Sequence, residues 1–370
     1  MRQSATHANV SARAPRMARL YFRLQALGFA PTFVRRQVLP EWWQDSTANN
    51  PAAYAHGAGI IAKNLGLDVR TLLADGVRLA YQEMVLARLK ANKGVAESEL
   101  LPARSVCIRV AQIACAAARA APGPIAETAR AIRSAIQGAE HRVVDLDALL
   151  DYCWSAGIPV VYVSQLPPRQ KRLAGLAAEF EGRPAVVVSK NSRFSADLAF
   201  VLAHELGHLV LGHVEANGAI GDQEVQAALD IGDAAAAPEL RPGSSDEQED
   251  EANAFATELL TGKAGARYTA LRSLTAVELA DIARQVAALR GVDPGVVALN
   301  YAWNKGHWGA GKGALKLIEP DANAPATVCA AMLRGLDFHS MPSDSRGFLL
   351  RVTVGGSGSH DLPGGHRPPG

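Results

Sequence analysis

The sequence predicts an α+β fold that is mostly helical, with a small mixed sheet set between helical N- and C-terminal regions. Three observations predict it. Apolar residues recur at three- and four-residue spacing along most of the chain. Only three short runs, PVVYVS at 159–164, RPAVVVSK at 183–190 and GFLLRVTV at 347–354, read as strands. The 370 residues, 48% hydrophobic, are enough for more than one packed core.

Residues 1–16 are polar and basic with a break at Pro15, the pattern of a flexible leader. A helical N-terminal region follows over 17–140. In it AGIIAKNLGLDVRTLLAD (58–75) forms two short helices meeting at Gly66, and longer helices are expected over 77–94 and 105–123, each closed by Gly or Pro-Gly. PEWWQD at 40–45 carries adjacent tryptophans, which cannot share one helix face, so one of them anchors this region to another element. From 141 to 265 the pattern is a helix at 144–158, the two strands joined by a turn near Glu181 and Gly182, a helix over FVLAHELGHLVLGH (200–213), and a helix over EQEDEANAFATELLTG (247–262). The polar, alanine-rich stretch between these last two helices reads as loop. Over 266–354 two helices flank the turn Gly291–Pro294, another lies near 325–335, and GFLLRVTV (347–354) reads as a strand. The Gly/Pro-rich segment 355–370 is expected to be disordered.

The formal charge of +2 carries no global polyanion signal, yet arginines stand at 2, 13, 16, 19, 23, 35 and 36 with no acidic residue before Glu41. That asymmetry makes DNA a candidate partner of the N-terminal region, against the alternative of a solvated arm. Cysteines at 107, 115, 153 and 329 form neither a CxxC pair nor a close cluster, so no disulfide framework or cysteine metal site is expected, and a reducing cytoplasm fits. No stretch reaches the roughly 18 uninterrupted apolar residues of a membrane span, and membrane association is not expected.

The chemistry concentrates in FVLAHELGHLVLGH. On a helix His204 and His208, four apart, stack on one face and reach one metal, while Glu205 beside the first ligand reaches water on that metal: the HExxH pattern of zincins. Burial argues the same way, because two imidazoles and a carboxylate in an apolar run need partners, and one ion satisfies both imidazoles. Gly207 in mid-helix costs about 1 kcal/mol relative to alanine and needs a compensating reason, of which close approach of another backbone is one. A catalytic zinc needs a third protein ligand. His213 lies five residues after His208, where the metzincin pattern requires six, with Leu211 in place of its glycine. Glu249 is the better candidate. It lies four residues before Asn253 at the border of the apolar face Ala252, Phe255, Ala256, Leu259 and Leu260, with Asn253 placed to brace the ligand shell. Glu251 projects about 200° away around the helix, so only one of the two glutamates is a ligand.

AHELGHLVLGH followed by EDEANAFATELL resembles the ImmA/IrrE family of metallopeptidases over roughly Val143 to Gly262. The resemblance implies a minimal zincin-like metallopeptidase domain with Zn2+ held by His204, His208 and Glu249 and with Glu205 catalytic. Its long, alanine-rich gap between the motifs departs from the family. LPEWW and IAKNLGLDVRTLL (61–73) resemble segments of the N-terminal region of longer members, the latter the end of an Xre-type helix-turn-helix, here degenerate. The implied function is a zinc endopeptidase of narrow specificity that cuts a protein partner, a helix-turn-helix repressor, in a stress or mobile-element response. The alternative is a transcription regulator or toxin-antitoxin component whose metal fold serves binding or sensing. Candidate oxyanion donors are His213, Tyr268, Tyr301 and His307, and AVVVS at 185–189, placed at a sheet edge, would bind an extended substrate by strand addition.

Overall fold

A computed structural model describes residues 15–83, 97–139, 141–168, 172–223 and 247–354. Its helices of five residues or more are α1 (Arg16–Ala26), α2 (Pro51–Leu65), α3 (Val69–Leu73), α4 (Glu97–Ala117), α5 (Ala129–Gly138), α6 (Leu146–Ser155), α7 (Ser195–Val210), α8 (Glu247–Thr261), α9 (Ala276–Arg290), α10 (Pro294–Lys305), α11 (Trp308–Ile318), α12 (Ala324–Gly335) and α13 (Ser343–Thr353). A π-helical turn (Val34–Val38) and a 3-10 turn (Asp45–Asn49) lie between α1 and α2. The strands are β1 (Val160–Tyr162), β2 (Leu173–Phe180), β3 (Arg183–Val188) and β4 (Ala219–Gln223). The α+β class with one small mixed sheet is thus the observed one.

Packing divides the chain into two units, one of residues 1–113, 163–172 and 337–370, the other of 114–162 and 173–336. In the first, α2 starts on Asn50, whose side chain accepts from the amides of Ala52 and Ala53 (2.9 and 3.3 Å), and stops at Gly66 in the left-handed region. Trp43 packs its ring where a Cβ on Gly57 would stand, while Trp42 is exposed, so one tryptophan anchors as its neighbour cannot. The arginines of this unit are largely used internally. Arg23 donates to the carbonyls of Thr71, Leu72 and Val77 near the C-terminal end of α3, and Arg35 pairs with Asp45 at 2.8 Å. The expected strand GFLLRVTV is helical in α13: Phe348, Leu349 and Val352 bury one face at helical spacing, and the Arg351 guanidinium donates to the Gln37 carbonyl (3.1 Å). The helix expected over 77–94 is non-helical from 77 to 82, where Tyr81 bridges to Leu67, and 84–94 lies outside the described residues. Also outside them are the leader up to residue 14 and the tail 355–370.

The sheet of the second unit has the order β1-β3-β2-β4, parallel between β1 and β3 and antiparallel elsewhere. β2 and β3 form a two-residue hairpin whose central residues, Glu181 (φ 53°) and Gly182 (φ 76°), both take positive φ, as a type I′ turn requires. Two strands escape the sequence pattern. β2, LAGLAAEF, is rich in alanine and glycine, which are poor strand formers, and β4 lies inside the stretch expected to be loop. With β2 in place β3 becomes central, so AVVVS is not an edge and offers no free ladder to a substrate.

Residues beyond 265 do not form a region of their own. Those up to 336 share one core with the strand-bearing segment, running from Ala129 to Ala331. Within it α9 opens on a capping box between Thr275 and Glu278. α10 opens on Asp293, whose carboxylate accepts from the Val296 amide (2.9 Å). Burial pushes the Asp293 carboxyl from 3.8 up to about 6. A raised carboxyl pKa means the native state holds the proton more tightly, so this contribution is complete below about pH 4 and is lost as pH rises through about 6. Asp293→Asn keeps the acceptor and removes the charge. Thermal unfolding at several pH values should show the variant gaining stability over wild type above pH 7, by at most about 3 kcal/mol for two pKa units, with the gain gone at pH 4. The helix dipole offsets part of that figure.

Among the described residues one helix, Ser98–Ala117, is long and apolar enough to cross a membrane by length and composition, and 78% of that window is buried. It carries Arg104 and Arg109. None of the four cysteines forms a disulfide. Burial pushes the thiols of Cys115 and Cys153 up to about 12 and that of Cys329 to about 11, far from the thiolate state that redox or metal chemistry needs.

Candidate metal centre

The helix that carries the motif is held at both ends. At the start of α7 the backbone N–H and hydroxyl of Ser195 donate to Glu319 (3.0 and 2.6 Å), a cap from a residue 124 positions away. Along its length α7 packs on β2, β3, α6, α8 and α10. His204, Glu205 and His208 are all buried, Glu205 and His208 at 0% exposure. Four-residue spacing sets the two imidazoles edge to face, with centroids 4.8 Å apart and Nε2 atoms 3.1 Å apart.

α8 delivers the third group. Its apolar stripe of Ala252, Phe255, Ala256, Leu259 and Leu260 is buried, and the Phe255 ring lies where Gly207 leaves room: a Cβ there would stand 3.1 Å from Phe255 Cδ1. The mid-helix glycine therefore admits a side chain, not a second backbone. This docking brings Glu249, in the first turn of α8, to 3.4 Å from His204 Nε2 and 3.6 Å from His208 Nε2.

The surrounding hydrogen bonds decide what these groups offer. Asn253 Oδ1 lies 3.1 Å from His204 Nδ1 and can only accept, so the proton of His204 sits on Nδ1 and its Nε2 lone pair turns inward. Behind His208, Nδ1 lies 2.9 Å from His213 Nδ1, and His213 Nε2 lies 3.0 Å from Glu251 Oε2. With the carboxylate taking the Nε2 proton of a neutral His213, its Nδ1 accepts from His208 Nδ1–H, and the His208 Nε2 lone pair also turns inward. Glu249 Oε1 is buried with no hydrogen-bond donor. Three electron-pair donors thus converge with no proton between them, an arrangement a cation completes. The two Nε2 atoms are 3.1 Å apart, Glu249 Oε2 lies 3.4 Å from His204 Nε2 and Glu249 Oε1 lies 3.6 Å from His208 Nε2, each close to the edge of about 3.3 Å expected for ligands near 2.05 Å around a tetrahedral ion. With Glu205 and Glu249 as the nearby carboxylates, a divalent ion also brings the local charge near zero. The buried group His204, His208 and Glu249 could hold a metal ion.

Glu205 faces the sheet at β2. A Cβ built on Gly175 of β2 would fall 2.7 Å from Glu205 Cδ. Gly175 sits at an irregularity in the β2–β4 ladder, between Leu173 and Gly175. Neither this glycine nor the partners of His213 stand out in the sequence, although Gly212 before His213, a left-handed helix stop, marks where the chain turns back. Of the other candidate donors, Tyr301 is buried in the core, where its hydroxyl accepts from the Leu274 amide (2.9 Å), and His307 is exposed. In comparisons with protein-family models, curated proteins and solved structures, none matches the chain.

Proposed function

We propose that the chain is a zinc-dependent endopeptidase resembling the ImmA/IrrE metallopeptidases, acting in the cytoplasm on a protein partner of narrow specificity, a helix-turn-helix repressor. The observation that carries this reading is Glu205, a wholly buried carboxylate on the residue next to a ligand-bearing histidine. A site built only to bind a metal for structure has no use for a second buried carboxylate. Two imidazoles and one carboxylate suit several borderline ions. Zinc is the choice because this donor set leaves a coordination position open and pairs with the HExxH glutamate.

When bound, the metal supplies Lewis-acid polarisation of water and of the scissile carbonyl. Glu205 accepts a proton from the attacking water and returns it to the leaving amine. Asn253 and His213 hold the imidazoles in register, and Glu249 closes the ligand triangle from α8. The dry surroundings of α7 strengthen these interactions by lowering the local dielectric. A contact between the N-terminal region and DNA belongs to the same proposal, with the exposed Arg36 as one cation for it among the described residues.

Co-expression with the products of neighbouring genes, read by labelling of new N-termini, tests the reading. One new terminus in one partner is expected, suppressed by a peptidic hydroxamate. Purified wild type should hold one zinc per chain and Glu249→Ala much less. Stoichiometric zinc with no hydroxamate binding and no cleaved partner would sink the peptidase and leave a binding or sensing role.

A further inference from the structure

His213 is 5% exposed and is outside the ligand group, yet both its ring nitrogens are engaged, Nδ1 with His208 and Nε2 with Glu251. The backbone places it there by a definite device. α7 ends at Val210, Gly212 takes φ 72°, and the His213 amide donates back to the His208 carbonyl (3.0 Å), while the Leu211 amide donates to Gly207 (2.9 Å). This reversal through a left-handed residue folds the chain beneath the last turn of α7 and sets the His213 ring against the back of the His208 ring, with centroids 5.1 Å apart.

Resting on the metal reading above, we infer that His213 and Glu251 form a relay of positioning residues that fixes the tautomer and orientation of His208 for metal binding. The relay runs outward in one sense: His208 Nδ1–H donates to His213 Nδ1, and His213 Nε2–H donates to Glu251. Of the two neutral forms of His213, only the one with its proton on Nε2 satisfies both contacts beside an ionised Glu251, and Glu251 selects it. His208 is thereby held with its Nε2 electron pair toward Glu249 and His204. Without the relay His208 is free to carry its proton on Nε2, a form that cannot bind a metal through that atom. Outer partners of metal-binding histidines are typically worth about 10–100-fold in affinity. The Glu251 side chain is 51% exposed, so solvent screens its share, and His213 is the larger contributor.

The test is zinc affinity by competition with a chromophoric chelator, alongside thermal unfolding of the zinc-free chain and 15N imidazole spectra of the zinc form. His213→Leu is expected to weaken zinc about 10–100-fold. His213→Asn, whose amide oxygen can take the place of Nδ1 as acceptor, should recover most of that loss, and Glu251→Gln should lose less than His213→Leu. In wild type His208 should show a protonated Nδ1 and His213 a protonated Nε2. Wild-type affinity in His213→Leu overturns the relay alone. So does an equal loss in His213→Leu and His213→Asn that follows their loss of zinc-free stability, the mark of packing. A wild-type chain that binds no zinc overturns both the relay and the metal reading. Gly212→Val tests the backbone device independently: a β-branched residue resists φ near 72°, so the variant should lose zinc affinity in parallel with His213→Leu.

Discussion

Glu205→Gln should bind zinc as wild type does and cut its partner at a rate lower by about 10²–10⁴-fold, the range for loss of a general acid–base group. Glutamine fills the same space and leaves His204, His208 and Glu249 untouched, so zinc content separates loss of chemistry from loss of the metal. The carboxylate is wholly buried, and its amide counterpart removes a buried charge, so the zinc-free variant should be at least as stable as wild type. The measurement is the single-turnover cleavage rate beside metal content. Cleavage at the wild-type rate would remove Glu205 from the mechanism.

Gly175→Ala carries the second large effect, from a residue on a different element. The added methyl would overlap the Glu205 carboxylate, and either the side chain or β2 must move. β2 is flanked by β3 and β4, so the strand is the stiffer of the two and Glu205 gives way. The expected result is a loss of cleavage comparable to that of Glu205→Gln, with zinc retained and stability lowered by about 1–3 kcal/mol, the usual cost of overpacking a core. Gly59→Ala is the control, since a Cβ there meets nothing within 4 Å; it should leave cleavage unchanged and gain up to about 1 kcal/mol from helix propensity. Unaltered cleavage in Gly175→Ala would mean that Glu205 has room it is not seen to use.

These two positions mark how far the sequence is legible. The residues of the metal group follow from helical geometry: spacing of four brings His204 to His208, and the apolar stripe of α8 turns Glu249 inward, so a pattern with a period of 3.6 residues is enough to find them. Asn253 follows by the same rule. Gly175 does not, because its meaning lies in the carboxylate opposite, and a glycine among alanines lacks the branched side chains by which strands are recognised. The strand β2 was hidden for the same reason. GFLLRVTV misleads in the other direction: its branched residues favour a strand, but burial at helical spacing outweighs local preference and makes it helix α13. The spacing of His213 departs from the metzincin pattern; what spacing cannot show is that a helix stop returns the ring to the back of His208.

The cap that Glu319 places on α7 bears on modularity. The motif-bearing span from Val143 to Gly262 looks self-contained when written as a string, yet the first turn of its central helix is closed by a carboxylate well beyond that span, and the apolar core continues to Ala331. A fragment trimmed to the motifs would keep the three side chains that could hold a metal while leaving the Ser195 amide and hydroxyl at the head of the helix without their acceptor and much of the core open to water. The candidate centre is therefore not a cassette that can be lifted out. It shares its core with the helices that follow it, and any shuffling of this chain must cut after Leu336 to carry the group along intact.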